Sequence, residues 1–134
     1  MLTIDESTYP IVLVQIENTA TLEDTEQYLS RFTDWLSHEH PFGIIVHESN
    51  TDDVETAQAK DSHRLTVQWA RQNKSKIAQF CVGMVLVIDT PEILENRRSI
   101  ISKGIETIFG CPGQAFATQV EARLWLQQQS NENC

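Results

Sequence analysis

FCVGMVLVIDTP, residues 80–91, decides how the rest of the chain is read. Its first ten residues, FCVGMVLVID (80–89), are the most apolar segment of the chain and so the best candidate for a central, buried strand. Thr90 and Pro91 follow, a hydroxyl suited to an N-cap and a proline suited to the first helical position. A fully buried strand that runs into a helix points to an α/β protein, with this strand central in its sheet.

Working outward, the same alternation repeats. On the N-terminal side, FGIIVHE (42–48) is a second continuous apolar run, and IVLVQIE (11–17) is a third, rich in β-branched residues. LTIDE (2–6) reads as a short edge strand, joined to the next in a hairpin through Tyr9-Pro10. Between the second and third strands, Leu22, Tyr28, Leu29, Phe32, Trp35 and Leu36 recur at helical spacing, and Thr21 with Asp24 has the form of a capping box. Val54 and Ala57 open a helical pattern that becomes regular at Leu65, Trp69 and Ala70; one long helix or a loop and a helix both fit residues 51–76.

On the C-terminal side, Ile93, Leu94, Ile100, Ile101, Ile105, Ile108 and Phe109 lead to the breaker Gly110-Cys111-Pro112-Gly113. Gly104 inside this helix points to close approach of another backbone, from the sheet or from a second subunit. A short strand, QAFAT, then leads to a helix opened by the capping box Thr118–Glu121 and buried through Ala122, Trp125 and Leu126. The expected order is β-β-α-β-α-β-α-β-α: one α/β domain over residues 1–134, with a mainly parallel or mixed five-stranded sheet and about four helices. Residues 128–134 read as a frayed tail.

Charge is unevenly distributed. Residues 1–59 carry twelve acids against Arg31 alone, while residues 60–103 are net +4 in a chain of net charge -9. Such an acidic surface disfavours nucleic acid and anionic membranes. The basic set Lys60, Arg64, Arg71, Arg97 and Arg98 suits an anionic or carboxylate partner, including the acidic part of a second copy. No apolar run approaches a membrane span and MLTIDESTYP lacks the features of a secretory signal, so a cytoplasmic location is expected. Cys81, Cys111 and Cys134 form no C-x-x-C pair, and reduced thiols are expected.

The element order resembles that of the STAS domain in its broad SpoIIAA-like sense, the sulfate-transporter and anti-sigma-factor-antagonist family. Over residues 60–127 the likeness is closer, to bacterial proteins grouped as STAS-like or SEC14-like: a basic helix with Arg64 and Trp69, the strand VGMVLVIDTP, a helix ending IETIFG, and a last strand and helix ending EARLWL. The resemblance implies a non-catalytic regulatory module that docks to another protein; a homodimer stays open beside it. It also implies a phosphoacceptor at the start of the helix after the central strand, where the family carries Asp-Ser-Ser/Thr-Gly. Here Glu48-Ser49-Asn50-Thr51 stands at that place without the glycine, which makes Ser49 and Thr51 the candidate regulatory residues. Asp52, Asp53 and Glu55 oppose added phosphate, while a helix N-terminus favours it. Asn50, Thr51 or Asp52 also suits a helix cap.

Other chemistries find less support in the residues. His38, His40 and His47 lie close in sequence to Glu39 and Glu48, and an H-x-H pair can ligate a metal from a strand. This pair falls at a helix end, where His suits the C-terminal dipole. There is no G-x-S-x-G elbow, P-loop or dinucleotide fingerprint, so no catalytic residue, cofactor or metal is assigned. Two alternatives stay open: a carrier or sensor of a small apolar, lipid-like ligand walled by the helix of Ile100, Ile101, Ile105, Ile108 and Phe109, and a small hydrolase or other enzyme.

Overall fold

A computed structural model of the chain describes residues 2–17, 21–49, 57–88 and 90–132. It is an α/β fold with one five-stranded mixed sheet and four helices. The strands are β1 (Leu2–Asp5), β2 (Ile11–Glu17), β3 (Phe42–Ser49), β4 (Cys81–Ile88) and β5 (Gly113–Phe116), and they lie in the sheet in chain order. β1 pairs antiparallel with β2 as the expected hairpin, and every later pair is parallel. The helices are α1 (Leu22–Ser37), α2 (Ala57–Phe80), α3 (Pro91–Phe109) and α4 (Gln119–Glu132).

Stepwise parallel order puts α1, α2 and α3 on one face of the sheet, because right-handed crossovers that advance in one direction stay on one side. With no further strand to join, α4 turns to the other face. The core divides accordingly. Val12 and Val14 of β2, Phe42, Ile44 and Val46 of β3, and Met84 of β4 pack with Phe32, Trp35, Ala70, Ile77 and Phe109 from α1, α2 and α3. Leu13, Ile45, Val82, Val85 and Val87 pack with Ala122 and Leu126 of α4. Adjacent residues of one strand therefore serve opposite layers, which is why β2, β3 and β4 read as unbroken apolar runs.

Local signals explain the element ends. Thr21 caps α1 through Asp24 in a reciprocal capping box, with both bonds at 3.0 Å. At α4, the Glu121 backbone N–H donates to Thr118 Oγ1 at 3.2 Å. Gly110 ends α3 in the left-handed conformation (φ 80°), which glycine adopts without steric cost. Thr90 does stand at the N-cap of α3 with Pro91 in the first turn, but its side chain makes no capping hydrogen bond.

Three expectations are revised. α2 is one continuous helix from Ala57 to Phe80 and runs directly into β4, so Phe80 is helical rather than the first strand residue. α4 continues to Glu132, because Gln127–Gln129 are adequate helix formers beyond the last buried turn. On α3, Leu94, Ile105 and Phe109 hold the inward stripe, leaving Ile93 and Ile100 outside the apolar face to which the sequence assigned them; Ile100 is 71% exposed.

Glycine explains how α4 approaches so closely. Gly43 and Gly83 are register partners in β3 and β4, and a Cβ on either would press into Leu126 or Trp125. Gly104 was the glycine read as a close-approach site, yet a Cβ there would meet nothing within 4 Å, so the sheet does not approach it. A register shift at Phe42/Gly43 leaves Val82 as the additional residue of β4 between Cys81 and Gly83.

Candidate functional site

The carboxyl ends of β2, β3, β4 and β5 lie together, and from this edge the chain enters α1, α2, α3 and α4. In open parallel sheets such an edge is where loops present functional groups. β3 ends here: Glu48 pairs with Ile16 on one side and Ile88 on the other, and Ser49 with Glu17. Ser49 is thus the last residue of the second parallel strand, immediately before the connection to α2. Its side chain, and Thr51 together with the acids and capping groups of residues 50–56, lie outside the described residues.

Behind Ser49, His47 turns toward α4. The Gln119 side-chain amide at the start of that helix is hydrogen-bonded to His47 Nδ1 at 2.8 Å. This contact ties the end of β3 to the first turn of α4. On the outward side of α4, Val120 and Leu124 are one turn apart and 67% and 57% exposed.

The basic residues are divided between two adjacent helices. Arg64 and Arg71 are exposed two turns apart on α2. Arg97 and Arg98 are exposed on α3, where Arg98 lines a 640 Å³ groove with Pro91, Leu94, Glu95, Ser102 and Gln114 of β5. Lys60 lies in the first turn of α2, and its side chain is outside the described residues. A second groove, of 440 Å³, lies at the opposite edge of the sheet beside Pro10, Pro41, Gly43 and Leu126.

Among the described residues no three His, Cys, Asp or Glu side chains come together as a metal site. His38 and His40 are exposed beyond α1, His38 edge-on to Tyr9 at 6.0 Å, and His63 is exposed on α2. No helix among the described residues is long and apolar enough to cross a membrane.

Two side-chain clusters were not visible in the spacing. Cys81 begins β4 and Cys111 precedes β5, so parallel pairing brings these buried thiols together. Contact with Cys111, reinforced by burial, pushes the Cys81 thiol well above its ordinary range; its Sγ–H donates to the Gly83 carbonyl at 3.4 Å. The Tyr28 hydroxyl is buried nearby without a hydrogen-bond partner among the described residues, and burial, with the cysteines beside it, shifts its ionisation to higher pH. A thiol held protonated in this way makes a poor nucleophile.

The second cluster joins the hairpin to α1. Glu6 accepts from Trp35 Nε1 and from Arg31 Nη2, the latter at 2.5 Å, and Arg31 reaches Asp34 at 3.2 Å. The Trp35 bond and then the Arg31 bond hold the Glu6 carboxyl below its usual range. A residue between two strands gives no local signal of such a partner.

Comparison with protein-family models, with curated proteins and with solved structures finds no match.

Proposed function

We propose that the chain is a non-catalytic regulatory module that works by docking to another protein, in the manner of STAS-like domains. The observation that carries this reading is the pair Val120 and Leu124. Large apolar side chains exposed one turn apart, on a helix tied through Gln119 to the end of the strand bearing Ser49, suit a protein contact. A partner seated on α4 at this edge lies beside the end of β3, so phosphate at Ser49, or at Thr51 two residues further along the chain, would alter docking through added negative charge.

The test is recovery of the full chain from native lysate of its source, compared with a V120D/L124D variant. A partner retained by the wild type and lost by the variant, together with phosphate mapped to Ser49 or Thr51, is the expected result. Identical recovery by both proteins, with neither residue modified, rejects the reading.

A further inference from the structure

α3 lies against β5, the last strand of the sheet, and the start of that strand is pinned to it. Ser102 Oγ donates to the Gly113 carbonyl at 2.7 Å. Beside that bond, a Cβ on Gly113 would come within 2.5 Å of the Ile105 Cβ, so only glycine lets the strand reach the helix here. α3 runs back from the carboxyl edge of the sheet, so its earlier turns lie alongside the later part of β5. Along those turns the 640 Å³ groove runs between helix and strand. Pro91, Glu95, Arg98 and Ser102 recur at helical spacing and turn one stripe of α3 toward it, with buried Leu94 beside them and Gln114 on β5.

Glu95 and Arg98 are the charged residues of this lining. Three residues apart on a helix they are spaced to pair, yet they form no ion pair with each other or with another described residue. The Gln114 amide and the Ser99 hydroxyl also line the groove, and neither side chain is hydrogen-bonded to a described residue. An acceptor-only carboxylate and a donor-only guanidinium, about 4.5 Å apart along the helix axis, thus stand in one groove with neutral donors and acceptors beside them.

We propose that this groove binds a free aliphatic α-amino acid. Such a ligand carries both complementary charges on one carbon: its carboxylate accepts from the Arg98 guanidinium and its ammonium donates to the Glu95 carboxylate. The Gln114 amide offers a carbonyl to the ammonium or an N–H to the carboxylate, and the Ser99 hydroxyl adds a donor. A ligand with a single charge is disfavoured, because an anion alone sits beside Glu95 and a cation alone beside Arg98. Quaternary ammonium groups are recognised by aromatic faces, and no aromatic ring is among the described residues of the lining, whereas a primary ammonium has the N–H donors that Glu95 requires. Leu94 and Pro91 form the apolar part of the lining, aliphatic surface that suits the side chain of leucine, isoleucine or valine. This site goes beyond the docking reading above and uses neither Val120 nor Leu124.

Titration of the isotope-labelled full chain with L-leucine, L-isoleucine and L-valine, followed by amide chemical shifts, tests the proposal. Saturable shifts centred on the α3 stripe and Gln114 are expected. N-acetyl-leucine, which lacks the ammonium, and leucinamide, which lacks the carboxylate, should each bind about tenfold more weakly or worse. Glu95 and Arg98 are exposed, so E95Q and R98Q should keep the wild-type circular dichroism. R98Q should bind leucine no better than leucinamide, and E95Q no better than N-acetyl-leucine, since each variant removes the partner of the group its analogue lacks. Absence of saturable binding of all three amino acids up to about 10 mM, shifts centred away from the groove, equal binding of either analogue, or wild-type affinity in E95Q or R98Q overturns the assignment. None of these outcomes bears on partner capture by Val120 and Leu124.

Discussion

Gly83 of β4 lies directly beneath Trp125 of α4: a Cβ on the glycine would come within 2.6 Å of the indole Cζ3. The ring and the sheet backbone are in contact, so replacement by alanine displaces an aromatic side chain rather than filling space. G83A should lose about 1–3 kcal/mol in chemical denaturation. G43A should lose less, because its nearest neighbour, at 2.9 Å, is a Leu126 methyl that can rotate. The α4 layer is the part of the fold these substitutions loosen, and slower hydrogen exchange of α4 in the wild type than in G83A is the companion measurement.

Gly104 supplies the contrast. With open space around its Cβ position and a helical backbone, G104A should stabilise by up to about 1 kcal/mol, through helix propensity and a less flexible unfolded chain. A loss of stability on thermal or urea unfolding would contradict the packing described for α3.

Glu6 should make stability pH-dependent in acid. Its carboxyl is held below the ordinary glutamate range by Trp35 and Arg31, so the unfolded chain takes up a proton more readily than the folded one. The contribution is complete above the unfolded value and is lost as pH falls through the lowered folded value. E6Q should therefore be the less stable protein at neutral pH, and its stability should fall less steeply in acid until the two curves approach one another. Equal slopes for wild type and E6Q would show that the contact with α1 does not persist in solution.

Cys81 and Cys111 should be unreactive in the native protein. Both are buried, and the Cys81 thiol is held protonated by contact with Cys111 and by burial. Mass-mapped alkylation should leave both unmodified until denaturant is added, after which both react. Labelling at either position under native conditions would contradict the packing at the start of β4.

Tyr28 should gain from losing its oxygen. The hydroxyl is buried without a hydrogen-bond partner among the described residues, whereas the ring packs edge-on against Phe32 and Trp35 at 5.8 and 6.4 Å. Y28F keeps the ring contacts and should be neutral or stabilising by up to about 1 kcal/mol. A loss greater than that would mean the oxygen has a role in the folded protein.

Much of this fold was legible because its signals are local. Thr21 and Asp24 are within one turn, and a capping box needs nothing more distant than that. The unbroken runs Val12-Leu13-Val14, Phe42–Val46 and Val82–Ile88 report burial on both faces whichever helix covers each one. Ser49 could be placed at the end of β3 for the same reason, since an apolar run that ends in Glu48-Ser49 marks the exit from the core. The basic set was legible as composition, but its division was not: Arg98 faces β5 while Arg64 and Arg71 rise from α2. Ile100 was misassigned because a broad apolar stripe on α3 contains both an inward edge and an outward one, and only packing against α2 and β5 chooses between them.

By itself, the sequence determined the strands, the helices, their alternation and the acidic and basic segments, all of which follow from neighbouring residues through period, capping and charge. Only the tertiary structure decided that α4 covers the second face, that Gly83 accepts Trp125, that Cys81 meets Cys111 and that Glu6 reaches Arg31 and Trp35. Those contacts join residues far apart in the chain, and they depend on strand order and register, in which a shift of one residue exchanges the two faces of the sheet.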